Sequence, residues 1–138
     1  MADLRWIDFH KTMHQARLLL DKNGLMDWTA DVQNLHNSDL YGERAAKDGY
    51  LGLCLDQEKR ILLHREQAHG AARQTILHEI AHALTLSEPG HGPEWQNTAL
   101  RIGCTPSHVS CYWDWSPRAD EPCGTRPASG PTRGTQSQ

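Results

Sequence analysis

Two histidines and a glutamate near the middle of the chain have the types and the spacing of a metal-dependent hydrolase site. They form His78-Glu79-Ile80-Ala81-His82, the His-Glu-x-x-His pattern. Residues four apart lie on one face of a helix, so both imidazoles can point at a single ion. Imidazole ligands suit zinc best, although they also accept manganese, cobalt or nickel. We therefore predict a site for one zinc ion on His78 and His82, with Glu79 beside it.

A catalytic zinc usually takes a third protein ligand and leaves a fourth position for water. Two residues that follow the motif could supply that ligand. His91 comes after the turn at 87–90, which reverses the chain, and Glu94 lies in the first turn of the next predicted helix. We favour His91, because a glutamate in the first turn is explained by the helix dipole.

These residues predict the hydrolysis of peptide bonds. Zinc would lower the pKa of a bound water and polarise the peptide carbonyl, while Glu79 acts as the general base that accepts the proton and passes it to the leaving nitrogen. The alternative is a non-catalytic, zinc-stabilised domain that binds protein or DNA, with the aromatic segment 112–115 contacting the partner. The presence of Glu79 favours the enzyme, since a binding module could lose it and keep its zinc.

The spacing of apolar residues predicts the elements that position this site. We expect an amphipathic helix from Leu4 to about Asp21, ended by Asn23-Gly24, and then a short strand within 28–35. Segments 50–55 and 60–64 predict a hairpin, followed by the motif helix over about 71–85 and a helix that starts near Gly92-Pro93. The predicted fold class is α+β: a zincin-like single domain with an N-terminal helix, a small antiparallel sheet, the motif helix and a following helix.

The length and composition predict one domain and a tail. With 138 residues, the chain can form a single compact domain, which we place at 1–115. Residues 116–138 are rich in Pro, Gly, Ser and Thr and lack apolar periodicity, so we predict a disordered tail. The N-terminus has no secretion signal pattern and no apolar run has membrane-spanning length, so we expect a cytoplasmic monomer with free thiols and no membrane contact.

The charge of the chain bears on its partners. The formal net charge is −3 and the estimated pI about 6.3, so no global basic field attracts nucleic acid. We expect a protein or peptide substrate, and DNA contact only through a local patch. The candidate cations for such a patch, for which a solvated surface is the more ordinary explanation, are Arg5, Lys11, Arg17, Lys22, Arg118, Arg126 and Arg133.

The two motif blocks together resemble a known family. The run His78 to Leu84, the block His91-Gly92-Pro93-Glu94-Trp95 and the trailing Ile102-Gly103 closely resemble the SprT-like metallopeptidase domain, the family that contains Spartan. The resemblance implies that His91 is the third zinc ligand, and that a helix and a small antiparallel sheet precede the motif helix. It also implies proteolysis, with DNA-associated proteins as one candidate substrate class.

The chain departs from this family in one respect. SprT-like proteins often carry a C-terminal zinc ribbon with paired cysteines, whereas here only Cys104, Cys111 and Cys123 are scattered over that part. We therefore expect no ribbon, and the fold and zinc site are carried over without the substrate. His108, Tyr112 and Trp113 follow the last predicted helix, and we expect them to pack in the core rather than to stabilise an oxyanion.

Overall fold

A computed structural model describes residues 4–40, 43, 49–68, 70–88 and 90–110, together with the backbone of 124–125. Within these residues the strands and helices, in chain order, are β1 (Leu4–Trp6), α1 (Phe9–Lys22), β2 (Thr29–Gln33), β3 (Gly52–Leu55), β4 (Arg60–His64), β5 (Glu66–Ala68), α2 (Ala72–Leu84), α3 (Pro93–Ile102), α4 (Pro106–Ser110) and β6 (Gly124–Thr125). Residues 38–40 are also helical. The described part is α+β, as predicted.

The first helix begins later than the sequence predicted. Asp8 is its N-cap, and the Asp8 side chain accepts a hydrogen bond from the Lys11 backbone N–H at 3.0 Å. The residues before the cap form β1, which pairs antiparallel with β5. The predicted start at Leu4 was wrong because apolar spacing continues through the cap, whereas a capped helix starts after it. The predicted end was right, since Gly24 takes a positive φ of 79° directly after the C-cap Asn23.

The sheet around the site has the strand order β2-β4-β3-β6. The predicted hairpin is confirmed, with β3 and β4 antiparallel and Leu53 opposite Leu62. The prediction of a wholly antiparallel sheet was wrong, because β2 runs parallel to β4, with Thr29 opposite Arg60. β3 comes between β2 and β4 in the chain and runs in the opposite direction to both, so it returns the chain to the end of the sheet from which β4 starts.

The core lies on both faces of this sheet. Ile61 and Leu63 of β4 face the helices and join the cluster that contains Leu20 of α1 and Ile80 of α2, while Leu62 joins a second cluster on the opposite face. β4 is therefore the central, fully covered strand, which explains its continuous apolar run. Every residue of α2 from 75 to 83 is buried, so the motif helix is the centre of the domain.

The C-terminal part adds elements that the sequence did not predict. A short helix, α4, follows the turn after α3 and buries Val109, and β6 pairs antiparallel with β3. The segments 111–123 and 126–138 lie outside the described residues, and with them lie the aromatic-rich segment 112–115 and most of the predicted tail. None of the described helices has the length and apolar character needed to cross a membrane.

Candidate metal centre

Three histidine side chains converge in the core between α2 and α3. His78 and His82 lie one turn apart on α2 and expose 0% and 2% of their surface, and His91, just before α3, exposes 6%. The Nε2 atom of His91 lies 3.0 Å from Nε2 of His78 and 3.2 Å from Nε2 of His82. The structure therefore brings together the three histidines that the sequence predicted as ligands, as a group that could hold a metal ion.

The separations of the His91 nitrogen from those of His78 and His82 fit a small tetrahedral cation. Zinc–nitrogen bonds of roughly 2.0–2.1 Å in tetrahedral geometry place two ligand nitrogens about 3.3 Å apart. The 3.0 Å and 3.2 Å separations seen here are close to that value. Burial, followed by the nearby charge of His91, holds the pKa of His82 well below its ordinary value, which favours the neutral imidazole that a metal requires.

Hydrogen bonds with the first turn of α3 hold the loop that carries His91 in place. Glu88 accepts a hydrogen bond from the Trp95 backbone N–H at 2.7 Å, so its side chain caps the helix from outside. Gly92 is the N-cap, and a Cβ atom there would lie 2.8 Å from the Glu88 carboxyl group. Gln96 donates to the His91 carbonyl at 2.8 Å. These contacts orient His91 inward, whereas Glu94, the alternative ligand, is exposed and lies outside the histidine group.

Trp95 forms one wall of the centre. Its ring centroid lies 4.7 Å from that of His78, 5.4 Å from that of His82 and 4.6 Å from that of His91. Trp95 is itself fully buried. Its contact with all three imidazoles was not predicted. The sequence contained one indication of this contact, because Trp95 follows His91 by only four residues.

Glu79 is buried at the edge of the centre, against β3. A Cβ atom added to Gly52 would lie 2.8 Å from Glu79 Oε2, so the β3 backbone approaches the carboxylate closely because residue 52 is glycine. The Cys104 thiol lies within the electrostatic reach of Glu79. Burial, opposed by the charge of Arg73 and reinforced by the charge of Glu79, raises the pKa of Cys104 to about 12. Cys104 is a free, protonated thiol at neutral pH.

His108 touches the centre from α4. Its Nε2 lies 2.9 Å from Nδ1 of His78, and the two rings are nearly perpendicular at 89°. Burial lowers the pKa of His108 to about 4. From the sequence we expected His108 to pack in the core, and its contact with His78 was not predicted because the two residues are separated by 30 positions.

His64, the last residue of β4, lies outside the histidine group of the candidate metal centre. His64 Nδ1 accepts a hydrogen bond from the Leu35 N–H at 3.1 Å, and its ring stacks on His36 with centroids 3.7 Å apart. Burial, followed by the charges of His36 and Arg65, lowers the pKa of His64 to about 4. His69 lies outside the described residues.

A small α+β protein with a buried group of three histidines on and beside its central helix belongs to the class of candidate metalloproteins. Comparison with protein families goes further, since a family model described as SprT-like matches residues 8–116. The chain belongs to the SprT-like family, as the sequence resemblance suggested. No curated protein and no solved structure matches it in the corresponding searches.

Proposed function

We propose that this protein is a zinc metallopeptidase that cleaves exposed or unfolded protein segments. The observation that carries the proposal is the convergence of three buried imidazole Nε2 atoms next to a buried glutamate, in a chain of the SprT-like family. His78, His82 and His91 would hold one zinc ion. When bound, that ion supplies Lewis-acid chemistry, lowering the pKa of water and polarising a carbonyl.

Glu79 is the proton carrier in this proposal. Its carboxylate accepts a proton from the attacking water and donates it to the nitrogen of the leaving amine. Burial between α2 and β3 limits its rotation, since Oε2 lies directly against the position of Gly52. A carboxylate with few rotamers keeps the geometry that proton transfer requires.

The metal part of the proposal is tested by elemental analysis of purified wild type, His91→Ala and His14→Ala. His14 is an exposed histidine of α1 and serves as the matched control. Wild type and His14→Ala should carry about one zinc per chain, and His91→Ala should lose most of it. Wild-type protein that neither carries zinc nor takes it up from solution would overturn the proposal.

The catalytic part is tested with a fluorescently labelled, unfolded protein substrate, with and without DNA. Wild type should cleave it, and Glu79→Gln should keep its zinc and its fold while losing at least about 100-fold in turnover. Equal turnover in wild type and Glu79→Gln would overturn Glu79 as the general base. No turnover in zinc-loaded wild type would contradict the enzyme and favour a zinc-stabilised binding domain.

A further inference from the structure

The contact between His78 and His108 joins two ring nitrogens, so one of them must carry the hydrogen. The Nδ1 of His78 and the Nε2 of His108 lie 2.9 Å apart, while the Nε2 of His78 faces the Nε2 of His91 at 3.0 Å. A neutral imidazole has one N–H and one lone pair. A His78 that offers its Nε2 lone pair to a metal must therefore carry its proton on Nδ1 and donate it to His108.

We propose that His108 is a positioning residue, which accepts the His78 Nδ1–H and so fixes the tautomer and the ring orientation of a metal ligand. The inference rests on the metal site of the proposed function. Metal-binding histidines commonly donate their second ring N–H to such an acceptor, and the acceptor also makes the ligand more basic. Here the acceptor is an imidazole rather than the more usual carboxylate or carbonyl.

The structure holds His108 in place through the same helix that carries His78. Gln74, four residues before His78 on α2, accepts a hydrogen bond from the Thr105 backbone N–H at 2.9 Å. The Thr105 hydroxyl in turn accepts from the His108 N–H at 3.2 Å, and Val109 anchors α4 in the core. Gln74 and His78 lie on the same face of α2. The hydrogen bond from Thr105 to Gln74 therefore holds the segment that carries His108 next to His78.

The test compares His108→Phe with His108→Gln, and uses His14→Phe as the control at an exposed position. Phenylalanine keeps a ring but cannot accept a hydrogen bond, whereas the glutamine oxygen can lie near the position of the histidine Nε2. In competition with a zinc chelator, His108→Phe should bind zinc about 10- to 100-fold more weakly than wild type. His108→Gln should recover most of the affinity, and His14→Phe should match wild type.

Two spectroscopic readouts separate positioning from a general structural role. The absorption bands of the cobalt-substituted protein should change in His108→Phe and return towards wild type in His108→Gln. In zinc-loaded wild type, nitrogen NMR of the imidazoles should show the His78 proton on Nδ1, with a coupling across the hydrogen bond to Nε2 of His108. This second measurement needs no substitution, so it decides the matter if His108→Phe does not fold.

Unchanged zinc affinity and an unchanged cobalt spectrum in folded His108→Phe would overturn the inference, and so would a His78 ring without a proton on Nδ1. Failure of this inference can be distinguished from failure of the proposed function. A wild type that binds zinc but cleaves nothing removes the peptidase, and the His108→Phe affinity still decides the inference. An active wild type with unaltered His108→Phe affinity removes the inference alone, and a wild type that binds no metal overturns both.

Discussion

At the scale of single residues, the candidate general base Glu79 packs against Gly52, a position that has no side chain. Gly52 lies on β3 opposite Glu79, and the space that a Cβ atom would need is taken by Glu79 Oε2 at 2.8 Å and Thr75 Cγ2 at 2.9 Å. Neither neighbour is at the free end of a long exposed chain, because both residues are buried. A methyl group at position 52 must therefore displace the carboxylate or the strand.

Gly52→Ala is expected to reduce peptide hydrolysis about 10-fold or more while zinc stays bound, because a small displacement of a catalytic group is costly. The turnover number and the zinc content of purified protein check this. Gly24→Ala is the control, since its added Cβ meets nothing within 4 Å but its φ of 79° is strained. That control should lose stability and keep turnover; wild-type turnover in Gly52→Ala would show that Glu79 tolerates the shift.

The lowered pKa of His64 predicts that the free energy of unfolding depends on pH, independently of the candidate metal centre. The folded pKa of His64, about 4, lies below the ordinary histidine value of 6.5, so between these values the unfolded chain binds a proton that the folded chain does not. The free energy of unfolding therefore falls as the pH drops from about 6.5 towards 4. The stabilisation that comes from keeping His64 neutral is fully present at pH values above the pKa that His64 has in the unfolded chain.

Urea unfolding of metal-free wild type and His64→Asn at pH values above and below this window checks the sign. Asparagine can still accept the Leu35 N–H but does not titrate. Wild type should lose about 1 kcal/mol more than His64→Asn between roughly pH 7.5 and 5.5. The metal-site histidines are the same in both proteins, so their titration cancels in the difference. Equal losses would show that His64 is not held neutral by burial.

At the scale of elements, the start of α3 couples helix capping to the placement of His91. Glu88 lies before His91 in sequence, yet its side chain accepts the Trp95 N–H on the far side of the loop. The cap therefore closes the short loop that delivers the third histidine. The sequence motif contains Gly92 and Pro93 at the start of this helix. The structure shows that the capping carboxylate belongs to Glu88, which precedes the motif in the chain.

Glu88→Ala should destabilise the protein by about 1 kcal/mol, the usual cost of a lost cap, and should weaken zinc binding because the His91 loop is released. Glu88→Gln keeps an acceptor oxygen and should change both quantities much less. Thermal unfolding and chelator competition on the two variants measure these effects. Loss of stability with unchanged zinc affinity would show that the cap does not position His91.

At the scale of the whole molecule, the metal centre lies inside an apolar core rather than replacing it. The large cluster joins α1, α2, α3 and the sheet through residues such as Leu20, Ile61, Ile80 and Trp95. We therefore expect the metal-free protein to fold, and the metal to add stability by binding the folded state only.

Zinc at about 100 times its dissociation constant should stabilise the wild type by about 2.7 kcal/mol, seen as a rise of several degrees in melting temperature. A chelator should reverse the rise, and His91→Ala should show little of it. Thermal unfolding followed by circular dichroism with zinc or with chelator measures this. The same melting temperature in both conditions for wild type would contradict a metal site between α2 and α3.

The sequence by itself determined the features that depend on neighbours along the chain. Helical spacing placed His78, Glu79 and His82 on one helix and turn residues marked its end. The short turn after it favoured His91 over Glu94 as the third residue of the site. The hairpin of β3 and β4 followed in the same way, because a local turn and alternating apolar residues specify it. These signals are local, so they survive in the sequence without knowledge of the fold.

Only the tertiary structure decided the features that join distant segments. The parallel pairing of β2 with β4, the pairing of β1 with β5, the approach of Gly52 to Glu79 and the contact of His108 with His78 each link residues far apart in the chain. Such contacts are set by how buried faces pack together, and a single sequence carries no periodicity that reports them. The three histidines of the candidate metal site were therefore predictable from spacing, and the groups that hold them in place were not.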